Sequence, residues 1–192
     1  MQVKNLILLG ALSVLLIVLV VLFFTLGGPK KPKVAPVSVP PQQEGASAER
    51  VEPVTIVLFF ASEADGKLHR EEREIIPEPS EAARAKQVIQ ELLKGSQEGL
   101  LSPIPAETEL REVYLSKDGT AYVDFSRDFT ENHLSGSSAE ISTIYSVVNS
   151  LSFNLKSIKK VFILIDGGER KTLGGHIDLT RSFSPQYDLV AR

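Results

Sequence analysis

Residues 110–125, which read LREVYLSKDGTAYVDF, predict a β-hairpin. Leu110 to Ser116 and Thr120 to Phe125 are rich in β-branched and aromatic residues, which favour strands. Lys117-Asp118-Gly119 lies between them as a short turn that contains glycine. This pair of strands lies in the middle of the domain that the sequence predicts.

Two strands and a helix are predicted before the hairpin. Val54 to Ala61 (VTIVLFFA) has the composition of a buried strand, and Leu68 to Ile76 is a more polar second strand. Ser80 is placed to cap a helix that runs through Lys94 and ends at Gly95. The apolar positions of this helix follow a helical spacing and form one buried stripe: Ala85, Val88, Ile89, Leu92 and Leu93.

A helix and two strands are predicted after the hairpin. The helix begins at Ser137, where Glu140 would complete a capping box, and its inner face is Ile141, Ile144, Tyr145, Val148 and Leu151. Lys160 to Asp166 is a buried strand, and Leu173 to Leu179 is expected to return beside it. The order β-β-α-β-β-α-β-β predicts an α+β fold, in which a mixed or antiparallel sheet carries two helices on one face.

The N-terminal residues predict a membrane anchor. Residues 6–26 contain no charge, and a helix of that length is roughly 30 Å long, which matches the hydrocarbon core of a bilayer. A cleaved signal peptide is the alternative, but its apolar region is usually shorter, and no A-x-A pattern follows here.

Lys30, Lys31 and Lys33 follow the helix and mildly favour a cytoplasmic C-terminus. Residues 27–53 contain six prolines and no aromatic residue, which predicts a solvated linker.

The charge of the chain argues against nucleic acid as a partner. Residues 53–192 contain 16 Lys and Arg against 21 Asp and Glu, and the basic residues are scattered. Binding to nucleic acid needs a positive field that this domain lacks. The chain has no cysteine, which excludes disulfides.

Three histidines, His69, His133 and His176, are the candidates for a metal site. They are 64 and 43 residues apart, and no H-x-x-x-H or H-x-H pair is present. A zinc site needs three or four ligands at spacings that a local scaffold can hold. The sequence therefore predicts no metal site and no cofactor. His176 is interpreted as a structural residue, and the preceding Gly174-Gly175 allows a positive φ or a close backbone approach.

Asp124 and Asp128, in the segment VDFSRDF, are the candidates for acid–base or calcium chemistry. Calcium loops need more oxygen ligands and a glycine at the bend, and Asp before Ser at a strand end is typical of a turn cap. No G-x-S-x-G elbow marks a nucleophilic serine, and Gly167-Gly168 lacks the ending of a phosphate-binding loop. The sequence predicts no catalytic residue and therefore no enzyme.

Eight segments in order carry a family resemblance: VTIVLFFA (54–61), LHREER (68–73), IQELLKG (89–95), LSPIP (101–105), DGTAYVDFS (118–126), IYSVVNSL (144–151), VFILIDG (161–167) and LGGHIDLTRSF (173–183). Through these segments, residues 54–183 resemble the GerMN domain, the sporulation and spore-germination module. Ser96 stands where the family often has Pro, and Ser150 where Thr is common. The predicted organisation is a short tail (1–5), a transmembrane helix (6–26), a linker (27–53), a GerMN domain (54–183) and a C-terminal tail (184–192).

The resemblance implies an extracytoplasmic domain with its N-terminus inside the cell, which outweighs the weak lysine bias. It also implies a likeness to the ring-building motif, and therefore a non-catalytic role in assembling envelope proteins, with a homo-oligomer as one form. In this family the Gly-His step belongs to the fold, so His176 is expected to order the final strand. The alternative is an envelope domain that binds or hydrolyses cell-wall material, which requires His176, Asp178 and Asp124 to converge in one pocket.

Overall fold

The computed structural model of the protein describes residues 51–134 and 136–192. These residues belong to one compact unit, Glu49–Arg192. Its elements in chain order are β1 (Val54–Ala61), β2 (Leu68–Ile75), α1 (Glu81–Leu93), β3 (Leu110–Leu115), β4 (Thr120–Phe125), α2 (Asp128–Glu131), α3 (Ser137–Asn154), β5 (Lys160–Ile165) and a 3₁₀ turn (Tyr187–Leu189). The predicted transmembrane helix and the linker up to residue 50 lie outside the described residues. Within the described part, no helix is long and apolar enough to cross a membrane.

The strands form two sheets, where the sequence predicted one. β1 and β2 pair antiparallel in the first sheet. In the second, β3 pairs antiparallel with β4, and β4 pairs parallel with β5. The prediction of a single sheet is wrong because one edge of β1 is occupied by side chains of α3 and by the segment near Leu101, and not by another strand of the second sheet.

The central hairpin forms as predicted, with β3 and β4 joined by the turn at Lys117-Asp118-Gly119. Gly119 has a φ of 83°, and a Cβ there would lie 2.7 Å from the carbonyl oxygen of Ser157. Only glycine tolerates both conditions without strain. The Asp118 carboxylate accepts hydrogen bonds from the hydroxyls of Ser116 and Thr120, and these bonds lower the pKa of Asp118.

Helix α1 begins and ends close to its predicted limits. The Ser80 hydroxyl accepts a hydrogen bond from the Ala83 N–H at 3.2 Å, so Ser80 is the N-cap, as predicted. Four of the predicted apolar positions are buried, and Leu93 is half-buried: Ala85, Val88, Ile89 and Leu92. They pack in a core that includes the inward residues of the second sheet, among them Val113, Val123 and Ile163.

Helix α3 begins at Ser137, as predicted, but it has no capping box. Its N-cap is Gly136, and no side chain caps the first turn. Glu140 is instead fully buried and bonds to a distant loop. Burial extends well beyond the predicted apolar stripe and includes the polar residues Ser146, Asn149 and Ser150.

The predicted strand at Leu173–Leu179 does not form. In this segment, only an isolated bridge between Thr172 and Asp178 is present. The edge of β5 is instead paired through Phe183, whose N–H and C=O each form a 2.8 Å bond with Val161. Residues 173–179 therefore form a loop, which is called the HID loop below. Further along the chain, Val190 is buried and the Ala191 N–H donates to the Leu68 carbonyl.

Candidate functional site

The carboxylate of Glu140 is the centre of the HID loop. Glu140 accepts hydrogen bonds from the N–H of Ile177 at 2.8 Å, from the N–H of His176 at 3.3 Å and from the His176 ring Nδ1 at 2.7 Å. Because an ionised carboxylate only accepts hydrogen bonds, Nδ1 of His176 is the donor. Gly174 is so close to this carboxylate that a Cβ would lie 2.9 Å from Oε1 of Glu140, and Gly175 has a φ of 109°. Both predicted roles of the glycine pair are therefore confirmed.

The environment of Glu140 favours its ionised form. Burial raises the pKa of the carboxyl, but the hydrogen bonds from Ile177, the His176 ring and the loop backbone outweigh burial, and the pKa lies below its ordinary value. The His176 side chain is 52% exposed, so one face of the imidazole is in solvent. His176 therefore orders a loop, where the sequence predicted that it orders a strand.

Asp124 lies at the end of β4 and fixes a different turn. Its Oδ1 accepts a hydrogen bond from the Gly167 N–H at 2.8 Å, and its Oδ2 contacts Nε of Arg111 at 3.2 Å. The neighbouring Asp166 pairs with both Arg111 and Arg127. The sequence predicted that Asp124 caps a turn through nearby backbone N–H groups. The prediction of a local cap is wrong, because the N–H that Asp124 binds belongs to Gly167, 43 residues further along the chain. Asp128 accepts a hydrogen bond from the Ser126 hydroxyl at the start of α2.

Asp178 and the two other histidines have local partners. Asp178 accepts hydrogen bonds from the N–H and the hydroxyl of Thr180, which lower its pKa. His69 pairs with Asp65 at 3.0 Å on the surface. His133 bonds through Nε2 to the Thr143 hydroxyl at 2.7 Å, and burial lowers its pKa.

His176 and Asp178 lie two residues apart in the HID loop, and Asp124 lies on β4. No hydrogen bond or ion pair among the described residues joins any two of them, and each binds a different partner. Two clefts of 390 and 260 Å³ open on the domain, and none of these three residues lines either. Across residues 51–134 and 136–192, no group of three His, Cys, Asp or Glu side chains is arranged to hold a metal ion.

A buried ion pair joins β2 to the C-terminal end of α1. Arg73 donates to Glu71 and to the backbone carbonyls of Glu91 and Gly95. Glu71 also accepts from the Ser96 hydroxyl at 2.6 Å, so the serine that departs from the family pattern has a specific partner. Burial raises the pKa of Glu71, but the bonds from Ser96 and Arg73 and from the Gln97 N–H outweigh it and lower the pKa. Arg73 thus satisfies carbonyls that the end of a helix leaves unpaired.

A row of aromatic side chains crosses the outer face of the second sheet. Tyr114 on β3 lies opposite Tyr122 on β4, and Tyr122 lies beside Phe162 on β5. The rings of Tyr122 and Phe162 are 5.6 Å apart. Tyr114 is 56% exposed and Tyr122 is 37% exposed, whereas their neighbours Val113 and Val123 point into the core. This aromatic row therefore lies on the face of the sheet that points away from the core.

Sequence reasoning identified neither the bonds of Glu140 to the HID loop nor the aromatic row. Tyr114, Tyr122 and Phe162 alternate with buried residues along three predicted strands, so a register for the sheet would have placed them on one face. Glu140 carried a competing signal, because its position three residues after Ser137 fits a capping box.

Residues 57–171 match the model of the Germane family, which is described as sporulation and spore germination. The chain belongs to the Germane family. The match includes both sheets and both long helices of this Germane domain, and it ends before the HID loop. No curated protein matches the chain.

Three solved structures resemble this Germane-family chain. A predicted lipoprotein from Clostridium perfringens is 23% identical with a TM-score of 0.50, over 70% of this chain and 89% of that one. The tandem GerMN domains of the sporulation protein GerM from Bacillus subtilis are 24% identical with a TM-score of 0.54, over 69% of this chain and 46% of that one. The first GerMN domain of GerM is 28% identical with a TM-score of 0.48, over 67% of this chain and 98% of that one. The chain therefore spans about half the length of the tandem GerM structure.

Proposed function

We propose that this Germane-family protein is a membrane-tethered, non-catalytic interaction module of the cell envelope, with its domain on the extracytoplasmic side. The observation that carries the proposal is the aromatic row of Tyr114, Tyr122 and Phe162. Aromatic residues are enriched at protein–protein interfaces because they contribute large contact areas at a small cost in side-chain entropy. The partner is an envelope protein, and a second copy of the chain is one form that it takes.

The hydrogen-bond partners of His176, Asp124 and Asp178 support a non-catalytic role. A hydrolase needs a nucleophile, a base and a stabilising group within reach of one substrate atom. Here His176 bonds to Glu140, Asp124 bonds to the Gly167 N–H, and Asp178, in the same loop as His176, bonds to Thr180. Each of the three side chains is engaged with a structural partner of its own, which supports the non-catalytic role over the cell-wall hydrolase alternative.

The predicted location rests on the N-terminal residues and on the family. The apolar segment 6–26 has the length of a membrane-spanning helix, and residues 27–53 supply a linker to the domain. The Clostridium perfringens relative is described as a lipoprotein, and the family description is sporulation and spore germination. The first description supports a domain that is held at a membrane surface. The proposal that the N-terminus lies inside rests on the family resemblance and on the predicted helix 6–26.

A crosslinked pull-down of the full-length protein from its native membranes tests this function. We expect a reproducible set of envelope proteins, identified by mass spectrometry, that is lost when residues 53–192 are deleted and the anchor is retained. Recovery of the same set by the anchor alone would contradict a function that resides in the domain.

A further inference from the structure

The outer edge of β1 has backbone groups that the other strands do not pair. Asn154 bonds to both the N–H and the C=O of Val57, at 2.9 and 2.7 Å. The N–H of Phe59 donates to Ser150, and the carbonyl of Phe59 accepts from Ser146. Ala61 exchanges two backbone hydrogen bonds with Leu101, at 3.0 and 2.8 Å. Alternate residues of β1, at positions 57, 59 and 61, therefore point their backbone groups away from β2.

The same alternation shows which way the backbone N–H and C=O of Thr55 point. In an antiparallel pair, every second residue directs its N–H and C=O away from the partner strand, so Thr55 shares the outward direction of Val57 and Phe59. No described residue forms a hydrogen bond with the backbone of Thr55, and this residue is exposed. α3 leaves the backbone of Thr55 unpaired because the helix ends at Asn154, and no further helical turn reaches this end of β1. Thr55 thus directs one donor and one acceptor away from β2, and no residue in the described ranges 51–134 and 136–192 pairs with them.

A cleft of 390 Å³ opens beside Thr55. Its apolar lining includes Ile56, Ile75, Val88 and Leu155. A space of this kind accepts a branched aliphatic side chain, whose burial drives binding. An unpaired strand edge next to an apolar cleft is the arrangement that binds an extended peptide by strand addition.

The rim of the cleft is basic although the domain is acidic. Arg84 and Lys156 line the rim and are exposed. Lys156 donates a hydrogen bond to the backbone carbonyl of Phe153. The acidic residue of the rim, Glu81, accepts a hydrogen bond from the Ser157 hydroxyl at 2.5 Å. The lining therefore holds two cations against one carboxylate, and this small positive excess favours a carboxylate on the ligand.

We propose that this cleft binds an extended acidic peptide segment of a partner protein, which adds to the edge of β1 at Thr55. The peptide backbone exchanges two hydrogen bonds with Thr55, an aliphatic side chain fills the cleft, and a carboxylate faces Arg84 and Lys156. The proposal deepens the interaction function proposed above and rests on it, because it adds a class of partner. It uses residues that are separate from the aromatic row.

Titration of the ¹⁵N-labelled full-length chain in detergent micelles tests the site. The probe is the blocked pentapeptide acetyl-Glu-Val-Thr-Val-Glu-amide, and the control probe has lysine in place of both glutamates. We expect the acidic probe to shift the Thr55 amide signal and to bind at least tenfold more tightly than the lysine probe. Thr55→Pro removes the outward N–H and fixes φ at this residue, which strand edges tolerate, and should weaken binding at least tenfold. Thr55→Val keeps the backbone and should bind like the wild type.

Arg84→Glu provides a second test on the surface of α1, in case Thr55→Pro does not fold. This variant should reverse the preference and bind the lysine probe more tightly than the acidic one. Equal binding by the wild type, Thr55→Pro and Arg84→Glu would overturn the proposal, as would no binding of the acidic probe at millimolar concentration.

Hydrogen exchange at the Thr55 amide identifies any other occupant. If the Thr55 amide is protected without the probe and deletion of residues 29–48 removes the protection, the chain's own linker fills the edge. If dilution removes the protection, a second copy of the chain fills it. Either result would overturn the proposal. A membrane pull-down by Thr55→Pro separates the two proposals. Loss of at least one partner supports the peptide site, whereas an unchanged set refutes it and leaves the interaction function intact.

Discussion

At the scale of single residues, Glu140 holds a loop that has no regular secondary structure of its own. Its carboxylate is fully buried and accepts hydrogen bonds from the backbone and the ring of the HID loop. A buried carboxylate is stable only when such donors surround it. The position of Glu140 on α3 therefore ties the loop after β5 to the core of the domain.

Replacing Glu140 with glutamine should destabilise the domain in a way that depends on pH. The amide keeps one acceptor but turns a donor toward the N–H groups of His176 and Ile177, so we expect a loss of about 1–3 kcal/mol at pH 7. Because the pKa of Glu140 is lowered in the folded state, its contribution is present above the unfolded value of about 4.5 and is lost as the pH falls through the lower folded value. The difference between variant and wild type should therefore shrink below about pH 4.5.

Urea denaturation of residues 49–192 at pH 7 and pH 3 measures this difference. The exposed Glu109→Gln is the matched control, and it should change the unfolding free energy little at pH 7. A difference between Glu140→Gln and wild type that stays constant across the two pH values would contradict the assigned role.

At the scale of elements, α3 substitutes for a strand along the edge of β1. Four residues of a helix rise about 6 Å, and two residues of an antiparallel strand rise about 6.8 Å. Ser146, Ser150 and Asn154 are spaced by four, so they lie along one face of α3. Ser146 and Ser150 bond to the carbonyl and the N–H of Phe59, and Asn154 bonds to both groups of Val57, the next outward residue of β1. The helix thereby satisfies buried backbone groups that would otherwise be unpaired.

Two serines on α3 provide a matched test of this arrangement. Ser150→Ala leaves the buried N–H of Phe59 without a partner and should cost about 1–3 kcal/mol. Ser152 is also buried on α3, but its hydroxyl has no hydrogen-bond partner among the described residues. Ser152→Ala should therefore be neutral or slightly stabilising in thermal and urea denaturation. Equal costs for the two variants would contradict the role given to Ser150.

Local sequence patterns predicted most of the helices and strands. The features that these patterns did not predict depend on tertiary contacts. VTIVLFFA, the Lys117-Asp118-Gly119 turn and the Ser80 cap carry signals within a few residues, and the corresponding elements form. The division into two sheets depends on Ser150 and Asn154 reaching β1 from about 90 residues away in sequence. The HID loop fails to form a strand because its N–H groups bind the Glu140 carboxylate, which no local pattern reveals.

At the scale of the whole molecule, the proposed function depends on the side of the membrane where the domain lies. In spheroplasts, added protease should remove residues 53–192 from the outside, whereas a cytoplasmic control protein stays intact. This result is expected because segment 6–26 is predicted to span the membrane with its N-terminus inside. Protection of the domain until the membrane is lysed would place it in the cytoplasm and contradict the predicted topology.

The central claim is that the aromatic row binds the partner protein. Measuring partner recovery when the row is changed tests this claim most directly. The measurement is a quantitative crosslinked pull-down from native membranes with Tyr114→Ser/Tyr122→Ser, compared with wild type, Leu134→Ser and His176→Ala. Leu134 is 80% exposed and does not belong to any of the three strands that carry the row, so it controls for loss of an exposed apolar side chain. We predict that the double variant loses most of the co-purifying envelope proteins, while Leu134→Ser and His176→Ala retain them. Full retention by the folded double variant would contradict the proposal that the aromatic row binds the partner.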